Sequence, residues 1–376
     1  MIDREALGNL DQIATAVPSV VADGPASGCR ALDLRVWNGL DVRLLPDRGL
    51  DAGAAWFRGV PLAWISPVGE SAPIPNPRDR DWMRAFTGGL MTTCGLRNVG
   101  APSEGHGQHG EFAMQRAGLC SVERTDRAIT ATARVAEVSA LDFHLEVERS
   151  WTTHVGEGRL ELVDVVRNLG PEDEAVPQLY HVNLGAPLWT RGARLTLDAR
   201  ATHPRDDAAA PFADTWHEAP GVVPGAGERV FEHEVVPGAD GWASATVTSP
   251  ATGIKVTVRW DASTLPRLWQ WVHPAPGIGV LGIEPANCSV LGRAADREAG
   301  RLPVLRAGEE RTTAWRSSRA RSRTERAHGR PPRRASALYE AVSRSTRAIA
   351  APLTTSAAVR AASRRLSTGS RPASSP

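Results

Sequence analysis

Through its first 316 residues this chain alternates apolar and polar residues with a period of two, and that alternation restricts it to β structure. Leu32, Leu34 and Val36 alternate with Asp33, Arg35 and Trp37. Phe143, Leu145 and Val147 alternate with His144, Glu146 and Glu148, and Trp151 resumes the apolar face after Arg149. Val256, Val258 and Trp260 alternate with Lys255, Thr257 and Arg259. Successive side chains of a strand point to opposite faces, so each run reads as a strand with one face on a core. Turn clusters such as Pro46-Asp47-Arg48-Gly49, Asn168-Leu169-Gly170-Pro171 and Val236-Pro237-Gly238 separate the runs. No long helical stripe interrupts them. The pattern predicts one large all-β sandwich over residues 1–316.

Charge divides the chain of 376 residues at the same place. Its formal charge is +2, but residues 317–376 hold 13 Arg against 2 Glu, a net +11. Residues 1–316 therefore carry a net −9. An acidic body argues against nucleic acid as a partner, except through the basic tail. The tail, rich in Arg, Ala, Ser and Pro, has little to bury and is expected to be disordered, as a solvated extension or the product of a frame slip. Cys29, Cys94, Cys120 and Cys288 show no metal-ligand spacing and fit reduced thiols. The opening MIDREALGNL contains no apolar run, and no segment reads as a membrane span, so a cytoplasmic protein is expected.

Three segments carry more polar residues and glycine than a plain core needs. They are GGLMTTCGLRNVGAP (88–102) with HGQHGEF (106–112), QLYHVNLGAPLW (178–189) and LPRLWQWVHPAPGIGVLGIEPANC (265–288). In the second, His181 and Asn183 share one side of a strand. In the third, Glu284 ends an apolar run, where desolvation raises a carboxyl pKa towards the range of a general base. Each also has a plain structural reading, a core histidine bonded to a carbonyl and an ion-paired glutamate. His106, His109 and Glu111 could gather a metal, but the second ligand cluster of a cupin-like site is missing, so neither metal nor cofactor is expected. The chain has no P-loop, no dinucleotide fingerprint and no GxSxG.

Together these segments resemble the aldose 1-epimerase (galactose mutarotase-like) family, in the branch that carries a domain-of-unknown-function label. The matching stretches are LLPDRGLDAGAAWFRGVPLAWISP (44–67), GGLMTTCGLRNVG (88–100), HGEF (109–112), LYHVNLGAPL (179–188), LGIEPANC (281–288) and LPVLRAGEERTTAW (302–315). The resemblance implies a supersandwich of many antiparallel strands with a sugar cleft on one concave sheet. It implies His181 as general acid and Glu284 as general base. An acid and a base that act on one substrate are expected across the cleft from each other, about the width of a sugar ring apart. It implies sugar contacts from His109, Asn98 and Arg97, with Arg48 and Asp51 near the cleft; Asn183, on the face of His181, is a further candidate contact. Trp271 and Trp269 offer an aromatic face, or else core. The ligand would be a monosaccharide or sugar derivative whose anomers interconvert by ring opening. The alternatives are a binding or regulatory protein of the same fold and an isomerase of a modified sugar. The chain departs from the family after HG, where EFAMQRA stands, and after Trp315, where the closing strand is expected to give way to the tail. The oligomeric state is not legible.

Overall fold

In the computed structural model, which describes residues 4–321, the alternation becomes burial. Strands His144–His154 and Arg159–Asn168 bury every second residue. All strand pairs are antiparallel. One sheet has eleven strands, running in space from Ala14–Val20 through Arg30–Val36, Leu40–Leu45, Asp51–Phe57, Met91–Gly95, Gln178–Leu184, Val280–Ala286, Arg267–His273 and Arg229–Val235 to Ala199–Pro204, with Val60–Pro61 added on Asp51–Phe57. A second has eight, from Arg194–Leu197 through Trp242–Ser249, Ile254–Asp261, Glu310–Arg321, Arg159–Asn168, His144–His154 and Ala128–Val138 to Gly118–Arg124, and two small sheets have two strands each. The expected all-β supersandwich of many antiparallel strands is therefore present. The helices are short, Arg293–Glu298 among them, and none among the described residues is long and apolar enough to cross a membrane.

The main core lies between the two sheets. Leu32, Leu34, Leu44, Val182 and Ile283 of the large sheet meet Val147, Trp151, Leu162, Val258 and Trp315 of the smaller one. Through this apolar layer runs one ionic cluster. Arg149, fully buried, grips Asp164 with two parallel hydrogen bonds of 2.9 and 2.7 Å. It reaches across to Asp51 Oδ1 at 2.6 Å, to Thr93 Oγ1 and to the Gly49 carbonyl. Tyr180 donates its hydroxyl proton to Asp164 and receives a hydrogen bond from Gln178. Asp51, Thr93, Gln178 and Tyr180 belong to the large sheet; Arg149 and Asp164 belong to the small one. The arginine that occupies an apolar position in its strand thus bolts the sheets together.

The domain boundary expected at 316 is too early. Strand Glu310–Arg321 continues past Trp315, with Ser317 facing Leu160 on one neighbour and Val258 on the other. A strand flanked on both sides draws its stability from backbone ladders and from its neighbours, so serines suffice where composition suggested a tail. The expectation of disorder beyond 321 lies outside the described residues.

Removing Arg149 would leave two carboxylates buried opposite no cation. Arg149→Met should cost about 3–5 kcal/mol of unfolding free energy, read from urea unfolding. A loss below about 1 kcal/mol would show that the cluster does not hold the sheets.

Candidate functional site

Strand Gln178–Leu184 is buried along its whole length, and its two faces do different work. Tyr180 and Val182 point into the inter-sheet core, while His181 points to the outer face of the large sheet. The next strand, Val280–Ala286, pairs with it in a register that sets Val182 opposite Ile283 and Asn183 opposite Gly282. His181 and Glu284 are therefore direct cross-strand neighbours on one face. His181 Nε2 and Glu284 Oε1 are 3.2 Å apart, with both side chains almost fully buried. The expected separation of about a sugar ring is thus corrected to direct contact, because antiparallel register places facing residues side by side. The contact is not aligned as a hydrogen bond, and Glu284 Oε1 and His181 Nδ1 have no hydrogen-bond partner. Buried polar atoms without partners are unusual in a native fold, and a ligand or ordered water can supply the missing partners.

A cleft of about 240 Å³ opens over the pair. Its wall is largely aromatic: Phe86 lies 5.2 Å, Trp271 5.4 Å and His109 6.1 Å from the His181 ring, centroid to centroid. Trp82 stacks on Phe86 at 4.3 Å and touches His109. At the mouth, Glu228 accepts from the Trp271 indole and from Arg205, which holds the tryptophan in place. Arg80 also lines the mouth.

Desolvation sets the ionisation. Burial pushes the Glu284 carboxyl up to about 8; the negative charge of Glu228 adds to the rise and Arg205 opposes it. Burial pushes the His181 imidazole down to about 3, with His109 adding to the fall. His109 is likewise lowered to about 4 by burial. At neutral pH the pair therefore holds a single proton, resting on Glu284.

Of the other residues expected at the site, His109 and Trp271 line the cleft and the rest do not. Asn98 is fully buried and donates to the carbonyls of Ala101 and Gly107 while accepting from the Arg293 amide, so it closes the loop that presents His109. In that loop the Gly100 amide donates to His109 Nδ1. Asn183 shares the face of His181 but spends its amide on the carbonyls of Gly89 and His181. Arg97 stacks on Phe143 and lines a different cavity. Arg48 is buried against the carbonyls of Ser71 and Ala85, and Asp51 belongs to the Arg149 cluster. These polar residues sit in recognisable motifs because they build the scaffold. Trp269 faces Glu284 in register but is packed as core. His106, His109 and Glu111 do not converge, and among the described residues no three His, Cys, Asp or Glu side chains could hold a metal.

Residues 26–317 match the family model described as Domain of unknown function (DUF4432). The chain belongs to the DUF4432 family. No curated protein matches it. Among solved structures, this DUF4432 chain is similar to a candidate aldose 1-epimerase from Klebsiella pneumoniae, with TM-score 0.77 and 21% identity over 90% of this chain and 93% of that one. It is also similar to a galactose mutarotase-like protein from Clostridium acetobutylicum, with TM-score 0.59 and 12% identity over 83% of this chain and all of the other. At these identities the likeness is one of fold.

Sequence reasoning missed Trp82, Phe86, Arg205 and Glu228 of this DUF4432 site, which lie outside its conspicuous motifs. It also passed over Gly282, although that residue stands two before Glu284 and so shares its face. A Cβ at 282 would lie 2.4 Å from Glu284 Oε1 and 3.1 Å from His181 Cε1. The missing side chain leaves the notch in which the carboxyl folds back to meet the imidazole. Gly282→Ala should leave the fold intact, since the clash is with the end of a flexible side chain, and should push the carboxyl off His181. A crystal structure of the variant reads this directly; an unchanged 3.2 Å contact would contradict it.

Proposed function

We propose that this protein interconverts the anomers of a free monosaccharide or a close derivative, with Glu284 and His181 as its acid–base pair. The observation that carries the reading is the buried 3.2 Å contact between the Glu284 carboxyl and the His181 imidazole beneath a cleft lined by Trp82, Phe86 and Trp271. Mutarotation needs two proton transfers at one carbon, one to the ring oxygen and one from the anomeric hydroxyl. Both oxygens are bonded to that carbon, so an acid and a base in contact can reach them together.

The cycle balances on the pair alone. The Glu284 carboxyl gives its proton to the ring oxygen while the His181 imidazole takes the anomeric proton. The bond from carbon to ring oxygen breaks and an open-chain aldehyde forms. Rotation about the neighbouring carbon–carbon bond presents the other face; the ring recloses and both protons return. If the resting proton first crosses the 3.2 Å contact, His181 becomes the acid and Glu284 the base, the roles implied by the family resemblance. Both routes use the same single proton. The cleft, below the roughly 300–1,000 Å³ of drug-sized sites, suits one sugar ring. Trp271 and Phe86 offer apolar faces to it, and the neutral His109 a ring nitrogen for a hydroxyl.

Two-dimensional exchange NMR across a panel of aldoses and sugar acids tests the reading. For the sugar that is turned over, Glu284→Gln and His181→Asn should each lower kcat by about a hundredfold or more. Affinity should change little, and the double variant should be scarcely slower than the poorer single one. Wild-type exchange in both single variants would contradict the assignment.

The pH profile follows from the same ionisations. Above about 8, Glu284 loses its proton while His181 stays neutral, so the pair has no acid and kcat/KM falls. Below about 3, His181 gains a second proton and the pair has no base. Between these limits the rate should be level, the two limits belonging to the pair rather than to either residue. An alkaline limit that survives in Glu284→Gln would show that another group sets it.

A further inference from the structure

Three residues conspicuous in the sequence and unused by the cleft, Arg97, His106 and Glu111, line one further cavity of about 410 Å³. It lies behind the loop that carries His109, between that loop, residues 76–78 and the end of strand Ala128–Val138. Glu137 completes the lining from the strand side. It takes an inward position in a strand whose other inward residues are Ile129, Ala131, Ala133 and Val135, and only 5% of its surface is exposed. One of its oxygens accepts the Leu96 amide at 2.9 Å. Arg78 and Gln115 also face the cavity.

Two guanidinium groups and two carboxyls therefore surround one space, and none of the four forms an ion pair with another. The Arg97 guanidinium lies 3.7 Å over the Phe143 ring, and its buried Nε stands 3.8 Å from Glu174 Oε2, an ion pair too long to be a hydrogen bond. Burial raises the carboxyls of Glu111 and Glu137, the latter to about 7, and Arg97 opposes both shifts. Of the four, Glu137 is buried, Arg97 and Glu111 are half-buried, and Arg78 is exposed. Charges of both signs held apart around a cavity are complementary to a molecule that carries both signs itself.

We infer that this cavity binds a small zwitterion of the α-amino acid class, its carboxylate on Arg97 and Arg78 and its ammonium on Glu111 and Glu137. Charge-assisted hydrogen bonds at both ends would satisfy the Arg97 Nε and the two carboxyls together. The site communicates with the cleft through one short path. The His109 carbonyl accepts from the Gly95 amide, and the Glu111 amide donates to the Gly95 carbonyl, so a ligand on Glu111 bears on the backbone that presents His109. The inference does not depend on what the cleft does.

The test uses four probes of one size on the full chain: L-alanine as zwitterion, L-lactate as anion, L-alaninol as cation and propane-1,2-diol as the uncharged control. Binding is read from amide NMR shifts of Gly105, Gly110 and Glu111. L-alanine should give saturable shifts at least tenfold tighter than each control. Arg97→Gln and Glu137→Gln should each weaken it about tenfold or more, and the more exposed Glu111→Gln serves as a third variant if either misfolds. Absence of saturable shifts, equal binding of the diol or of a single-charge probe, or indifference to all three substitutions would each overturn the inference and leave a water-filled cavity.

Discussion

The structure depends on a single arginine placed where its strand calls for a hydrophobe. Arg149 joins Asp164 of its own sheet to Asp51 of the other, with Thr93 and Tyr180 completing the cluster. Two large sheets packed only through apolar side chains can slide, since hydrophobic contact is non-directional. The charge-assisted hydrogen bonds that cross between the sheets, Arg149 to Asp51 and Tyr180 to Asp164, fix one alignment. The consequence reaches the cleft because Tyr180 and His181 are consecutive. The strand anchored from beneath by the tyrosine hydroxyl presents the imidazole above, so the position of the reactive pair inherits the rigidity of the cluster.

On that platform, register does the rest. Facing residues of antiparallel strands meet in pairs, and here one pair is an imidazole and a carboxyl, with a glycine beside them that leaves room for contact. An aromatic wall then removes water. In water such a pair would separate its charge; in the cleft burial favours the neutral form, with one proton on the carboxyl and an imidazole ready to accept another. The chemistry asked of the site needs an acid and a base at one carbon, and desolvation supplies both from one proton.

Much of this was legible in the sequence. Period-two alternation gave the sandwich, and the position of Arg149 in an otherwise apolar face was already visible as an interruption. His181 and Glu284 stood out as polar residues in apolar strands. What the sequence withheld was register, a long-range property set by how distant segments pair. Without it the distance between the two residues was misjudged, and Asn98, Arg97, Arg48 and Asp51 were gathered at a cleft they do not line. Their motifs mark loop closure and sheet clamping, which demand particular residue types as strictly as catalysis does. The continuing strand through Ser317 and Ser318 was hidden for the same reason, because its support comes from its neighbours' ladders rather than its own side chains.

The central claim is that Glu284 rests protonated beside a neutral His181. Carbon-13 NMR of side-chain carboxyl and imidazole signals, titrated in one sample, measures both groups directly. The account predicts a Glu284 carboxyl that titrates near 8 and a His181 ring that remains neutral through the range around neutrality. A Glu284 signal already that of a carboxylate at pH 7, beside a neutral His181, would leave the pair without its proton and contradict the account.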